Sequence, residues 1–132
     1  MSILIGLHVK QVLERDEAVS RAVGERIYPL VIPQGTDTYP FVCYDTSGET
    51  GDTTKDGTAN DRATVQLTVV AKSYEEAIRT GQAVRYALEG VTGRYAEFEV
   101  RQQGSTVYND EYIEAIDAYA MNLSMGFVTV DK

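Results

Sequence analysis

The sequence predicts an α+β fold: an antiparallel β-sheet with a long β-hairpin and two main helices packed on one face. Three observations carry that reading. Ala63, Val65, Leu67, Val69 and Ala71 alternate with Arg62, Thr64, Gln66 and Thr68, the two-residue period of a strand with one face on a core and one in water. Near the C-terminus Tyr119, Met121, Leu123, Met125 and Phe127 alternate with Ala120, Asn122, Ser124 and Gly126 in the same way. Between these strands, Ser73-Tyr74-Glu75-Glu76 has the form of a capping box, opening a helix that runs to Glu89 and stops at Gly90.

The other elements follow in order. Ile3 to Val23 reads as helix in two pieces, with Leu4, Leu7, Val12 and Leu13 inward on the first. Asp16 suits the N-cap of the second piece, Glu17 to Ala22, and Gly24 tolerates the left-handed backbone that ends it. Arg26 to Ile32 is rich in β-formers, but Pro29 and Pro33 limit it to a short edge strand or crossover. Phe41 to Tyr44 is a compact strand. Ser47 to Asp61 has Ala59 as its one apolar residue, which predicts a protruding polar loop or an extended hairpin arm. In the 73–89 helix Tyr74, Ala77, Ile78, Gly81, Val84 and Leu88 form one stripe. Small Ala77 and Gly81 allow a close approach to the sheet. Tyr95 to Gln102 alternates as a strand, and Ser105 to Ile116 reads as an acidic, tyrosine-bearing connector.

The 132 residues are read as one domain, 1–132. A chain of that size buries roughly two thirds of its unfolded surface and folds without a metal or disulfide. Its net charge of -8, with no block of Lys and Arg, argues against a surface that tracks phosphates. Cys43 is the only cysteine, which suits a reducing compartment. The stretch from Met1 to His8 lacks the positive n-region and apolar core of a signal peptide, and no apolar run approaches the ~20 residues of a membrane span. The expectation is a protein made and folded in a cytoplasm, with no membrane partner.

No catalytic, cofactor or metal site is expected. Asp52, Thr54, Asp56 and Gly57 mimic the start of a calcium loop, but its twelfth position is Ala63 where a bidentate Glu belongs. His8 is the only histidine and lacks a second metal ligand nearby in sequence; Cys43 shows no local sign of a nucleophilic pair. Glu97 and Glu99 share a strand face with no sign of the apolar pocket that acid-base chemistry needs. Phosphate-loop and Gly-x-Ser-x-Gly motifs are absent. The residues that suit an interface are Tyr39, Tyr44, Tyr108 and Tyr112, in or beside loops. Glu49, Asp52, Lys55 and Asp56 join them on the polar arm.

One ordered set of short passages stands out. Ala22-Val23-Gly24-Glu25-Arg26-Ile27-Tyr28-Pro29 follows the first helices, then Ile32-Pro33-Gln34-Gly35, then Tyr39-Pro40-Phe41-Val42-Cys43-Tyr44. The strand from Ala63 to Val69 then leads through Ala71-Lys72-Ser73 into a helix. This order resembles that of the tail completion, or tail-to-head joining, proteins of tailed phages and prophages. The resemblance covers Leu4 to Leu88 and returns in the last strand; Gly93 to Asp117 rests on pattern alone. It implies a structural protein of the virion neck that forms a ring, sixfold, caps the tail tube and meets the head connector. It also implies assembly in the host bacterial cytoplasm and no sequence-specific contact with nucleic acid. Alternatives are another neck or minor tail protein, such as a connector adaptor, or a small-ligand-binding α+β domain.

Overall fold

The structure is a computed structural model that describes residues 3–49 and 61–132. Two helices open it, α1 (Ile5–Arg15) and α2 (Glu17–Val23). Asp16 separates them, and its side chain accepts from the Val19 N–H at 3.0 Å, satisfying one free amide of the second helix. Gly24 ends α2 with φ of 58°. The buried stripe of α1 is Ile5, His8, Val9 and Leu13. Leu7, expected inward, is exposed instead, because helical geometry aligns positions 5, 9 and 13 on the opposite side.

A six-stranded sheet follows, from β1 (Ile27–Pro29), β2 (Phe41–Glu49), β3 (Asp61–Ala71), β4 (Gly93–Arg94), β5 (Phe98–Ile113) and β6 (Ala118–Asp131), with α3 (Tyr74–Leu88) between β3 and β4. Its spatial order is β1-β2-β3-β6-β5-β4, and every pairing is antiparallel except that of β1 with β2. The polar stretch from Ser47 to Asp61 begins and ends in the β2–β3 ladder, where Glu49 pairs with Arg62. The rest of that arm, including Asp52, Lys55 and Asp56, lies outside the described residues.

The largest departure from expectation is Ser105 to Ile116. This segment is a strand to Ile113 and then a 3-10 turn, Glu114–Ile116. Its alternation is invisible because most of its residues are exposed on both faces. The β6 ladder holds it, from Thr106 opposite Met125 to Ile113 opposite Ala118. Register shifts between Val100 and Gln102 and between Gln103 and Thr106 break the period again. Asp117, at φ of 49°, closes the hairpin in a conformation Asp tolerates better than most residues.

The helices cover one face of the sheet. Ile5, Val9, Leu13, Val19, Val84 and Leu88 pack on Val65, Leu67, Val69, Leu123, Met125 and Phe127. A smaller cluster of Phe41, Val70, Ala118 and Ala120 lies apart from that core, with Tyr28, Tyr39 and Ile113 packed against it. The Ser73 hydroxyl accepts from the Glu76 N–H at 3.2 Å and starts α3 as expected. Tyr74, expected on the apolar stripe, is half exposed at the first position of the helix. At Gly81 the helix comes so near β6 that an added Cβ would lie 2.7 Å from Met121 Cγ.

His8 is fully buried, with its Nδ1 2.6 Å from the Tyr95 hydroxyl and its ring edge-on to Phe127 at 6.0 Å. Tyr95 stacks on Phe98 at 4.6 Å, so this bond ties the first helix to the start of the C-terminal hairpin. His8 Nε2 has no hydrogen-bond partner among the described residues. Burial holds the imidazole below its ordinary value of 6.5.

Gly81→Ala gains about 1 kcal/mol of helix propensity and loses about 2 kcal/mol to overpacking, so urea denaturation registers a net loss of about 1 kcal/mol. In a Met121→Ala background the same change becomes stabilising, the sign reversal expected of a direct contact. For His8, the lowered folded value means that the unfolded chain binds the extra proton. Stability is complete above pH 6.5 and falls as pH drops through 6.5 toward the folded value. Urea midpoints between pH 7.5 and 5.5 therefore slope in the wild type and flatten in His8→Leu, the chain having no other histidine.

Candidate functional site

The described residues offer surfaces rather than an enclosed site. No group of three or more His, Cys, Asp and Glu side chains able to hold a metal is found among them. No helix among them is long and apolar enough to cross a membrane. The Cys43 thiol is half buried and lies 3.5 Å from the Leu30 carbonyl. Burial, and then the charge of Asp45, raise its pKa, which leaves a poor nucleophile.

The first surface lies where α1 meets the chain after β1. Leu30 and Val31 are 72% and 74% exposed, and Ile3, Leu7 and Ile32 are also exposed. A groove of about 400 Å³ runs between Ile3, Leu7, Lys10, Leu30 and Tyr44. Leu30 has φ of 63°, which costs a non-glycine residue on the order of 1–3 kcal/mol. It is held by its N–H donating to the Tyr44 carbonyl at 2.8 Å. Leu30-Val31-Ile32, expected within a short edge strand or crossover, was not foreseen as surface. The available signal was an apolar triplet fenced by Pro29 and Pro33, which cannot enter a central strand.

The second surface is the far half of the β5–β6 hairpin. Tyr108 is 67% and Val107 63% exposed, with Tyr112 half exposed. The Tyr74 hydroxyl donates to Asp110 Oδ2 at 2.6 Å, and the Tyr112 hydroxyl to Asp117 Oδ1 at 2.5 Å. These hydrogen bonds are the main cause of the raised pKa of both phenols, which stay neutral donors. Tyr119 lies between the two rings, 5.9 Å from Tyr74 and 5.2 Å from Tyr112. Asn122 Nδ2 donates to Asn109 Oδ1 at 2.9 Å and to Glu111 Oε1 at 3.1 Å. A groove of about 350 Å³ separates α3 from β5, lined by Tyr74, Ile78, Arg85, Tyr108, Asp110 and Met121.

The structure brings Tyr108 and Tyr112 together on this strand and leaves Tyr39, Tyr44 and Glu49 elsewhere. Tyr39 is half buried against Phe41, with the Lys72 ammonium 4.9 Å from its ring centre. Tyr44 is only 6% exposed, within the main core. Glu49 is exposed at the end of β2.

Likeness to known proteins gives the chain a family. No curated protein matches the chain significantly. Among solved structures it is similar to a chain described as "Virion of native gene transfer agent (GTA) particle", with a TM-score of 0.77 at 19% identity. The match covers 94% of this chain and 92% of that one, and at such identity it establishes likeness of fold. The family model described as "Tail completion protein gp17" matches residues 8–117, across both helical pieces, the β2–β3 hairpin, α3 and β5. The chain therefore belongs to the tail completion protein gp17 family.

Proposed function

We propose that this protein is a tail terminator: six copies form a ring that caps the tail tube and joins the tail to the head connector. Family membership across residues 8–117 is the observation that carries the reading. The site of action is the virion neck, reached after assembly in the host bacterial cytoplasm.

Physical features support the ring. A closed ring of identical subunits needs two different patches on each copy, one for each neighbour. The exposed Ile3, Leu7, Leu30 and Val31 form an apolar area of the kind a neighbour covers. The charged arm from Ser47 to Asp61, with Glu49, Asp52, Lys55 and Asp56, supplies a contact of different chemistry. The net charge of -8 suits a channel through which DNA passes without adhering, since like charges repel.

Sedimentation and electron microscopy test the reading. Rings appear as concentration rises, and the protein is retained by both tube and connector proteins. A monomer at all concentrations that is retained by neither sinks it. Val31→Glu leaves folding stability within about 0.5 kcal/mol, as for most surface changes, and raises the concentration for half-assembly at least tenfold. Deleting Thr50 to Ala59 keeps the fold by circular dichroism and weakens assembly; unimpaired rings remove the arm from the proposal.

A further inference from the structure

The edge of β5 lies outside both patches proposed for the ring. β4 pairs with β5 only at Glu99 and Val100, and β5 is otherwise the outer strand at that side of the sheet. From Thr106 to Ile113 it is in unbroken register with β6, so its opposite edge is a straight strand about 27 Å long. About four of those eight residues turn their N–H and C=O groups away from β6. No strand pairs with them among the described residues. Exposed edges of this length are normally blunted by Pro, Lys, bulges or a covering loop. Here both register shifts lie before Thr106, and Thr106 to Ile113 contains neither Pro nor Lys.

We propose that this edge accepts an added β-strand from a partner protein, and that the added strand is basic. Charge decides the occupant. From Gln102 to Asp131 the sequence holds five carboxylates, Asp110, Glu111, Glu114, Asp117 and Asp131, and no Lys or Arg. Asp110 lies on the helix side of the strand, beside Tyr74, and Glu111 shares the Asn122 amide with Asn109 on the other side. An incoming strand therefore meets one carboxylate on each face. Val107, Tyr108 and Tyr112 add apolar contact along the same stretch. Strand addition draws affinity from main-chain bonds and specificity from the alternating side chains, which here call for adjacent Lys or Arg flanked by β-branched residues.

The other occupants fit less well. Two-fold antiparallel self-pairing centred on Asp110 sets the two Asp110 carboxylates directly opposite each other with both Glu111 side chains one residue away, which is destabilising. A second copy's other sheet edge is β1, three residues long and ending in Pro29, which has no N–H to give. The arm residues Thr50 to Asn60 carry Asp52 and Asp56 against Lys55 alone, the wrong sign for an acidic edge.

The inference rests on the neck reading for where the partner is found, in the tube or connector, and the test separates the two. The probe is a capped octapeptide, Val-Thr-Val-Lys-Lys-Val-Thr-Val, titrated into the full chain while amide resonances are followed. Saturable shifts confined to residues 106–113 and their β6 partners support the proposal. They must be lost with the fully N-methylated peptide, which keeps the charge but has no backbone donors, and with the peptide in which Glu replaces Lys. Asp110→Asn with Glu111→Gln, both on the surface, weakens binding about tenfold at unchanged melting temperature. Equal binding of the N-methylated or the Glu peptide overturns strand addition or its basic character, respectively. The absence of saturable shifts at millimolar peptide overturns both. Ring formation and retention by tube and connector, scored without peptide, report on the neck reading alone.

Discussion

Everything in this fold hangs on two strands lying side by side, β3 and β6, whose inward residues face one another across the ladder. Ala63 pairs with Phe127, Val65 with Met125, Leu67 with Leu123 and Val69 with Met121. These side chains are buried, each large one contributing about 1.5–3 kcal/mol by leaving water. All three helices pack into the core built on this row, and the close approach of Gly81 to Met121 sets the height of α3 above it. By comparison, the exposed pairs Arg79–Glu75 and Arg85–Glu89 add a few tenths of a kcal/mol apiece.

That central pair was legible in the sequence for the same reason that it dominates the structure. A strand with one face on a core must alternate, and Ala63 to Ala71 and Tyr119 to Phe127 do. The caps at Asp16 and Ser73 were legible too, since a free amide at a helix start needs a nearby oxygen and few residue types supply one. The far half of β5 was not. Its strand state comes from main-chain pairing to β6 and hardly from burial, so its side chains carry no periodic mark. The parallel pairing of β1 was equally hidden, because three residues ending in proline say nothing of direction.

The candidate surfaces divide along the same line. Tyr108 and Tyr112 were chosen from residue type and lie exposed on β5, although the element bearing them was read as a connector. Tyr44 was chosen on the same grounds and lies in the core, since tyrosine serves both settings. Leu30 and Val31 were passed over although Pro29 and Pro33 fence them, because an apolar triplet between two prolines marks a break in the sheet without saying which side faces water.

The pairing of β3 with β6 also bears on how the chain is made. The residue opposite Leu67 is Leu123, far along the chain from it, and synthesis proceeds at about 5–20 residues per second. For roughly 3–10 s at that pace, the apolar row of β3 has left the ribosome without its main covering strand. The flanking polar residues Arg62, Thr64, Gln66 and Thr68 then matter for a second reason. On the nascent chain they keep every other position hydrophilic, and so keep a waiting strand from finding the wrong mate.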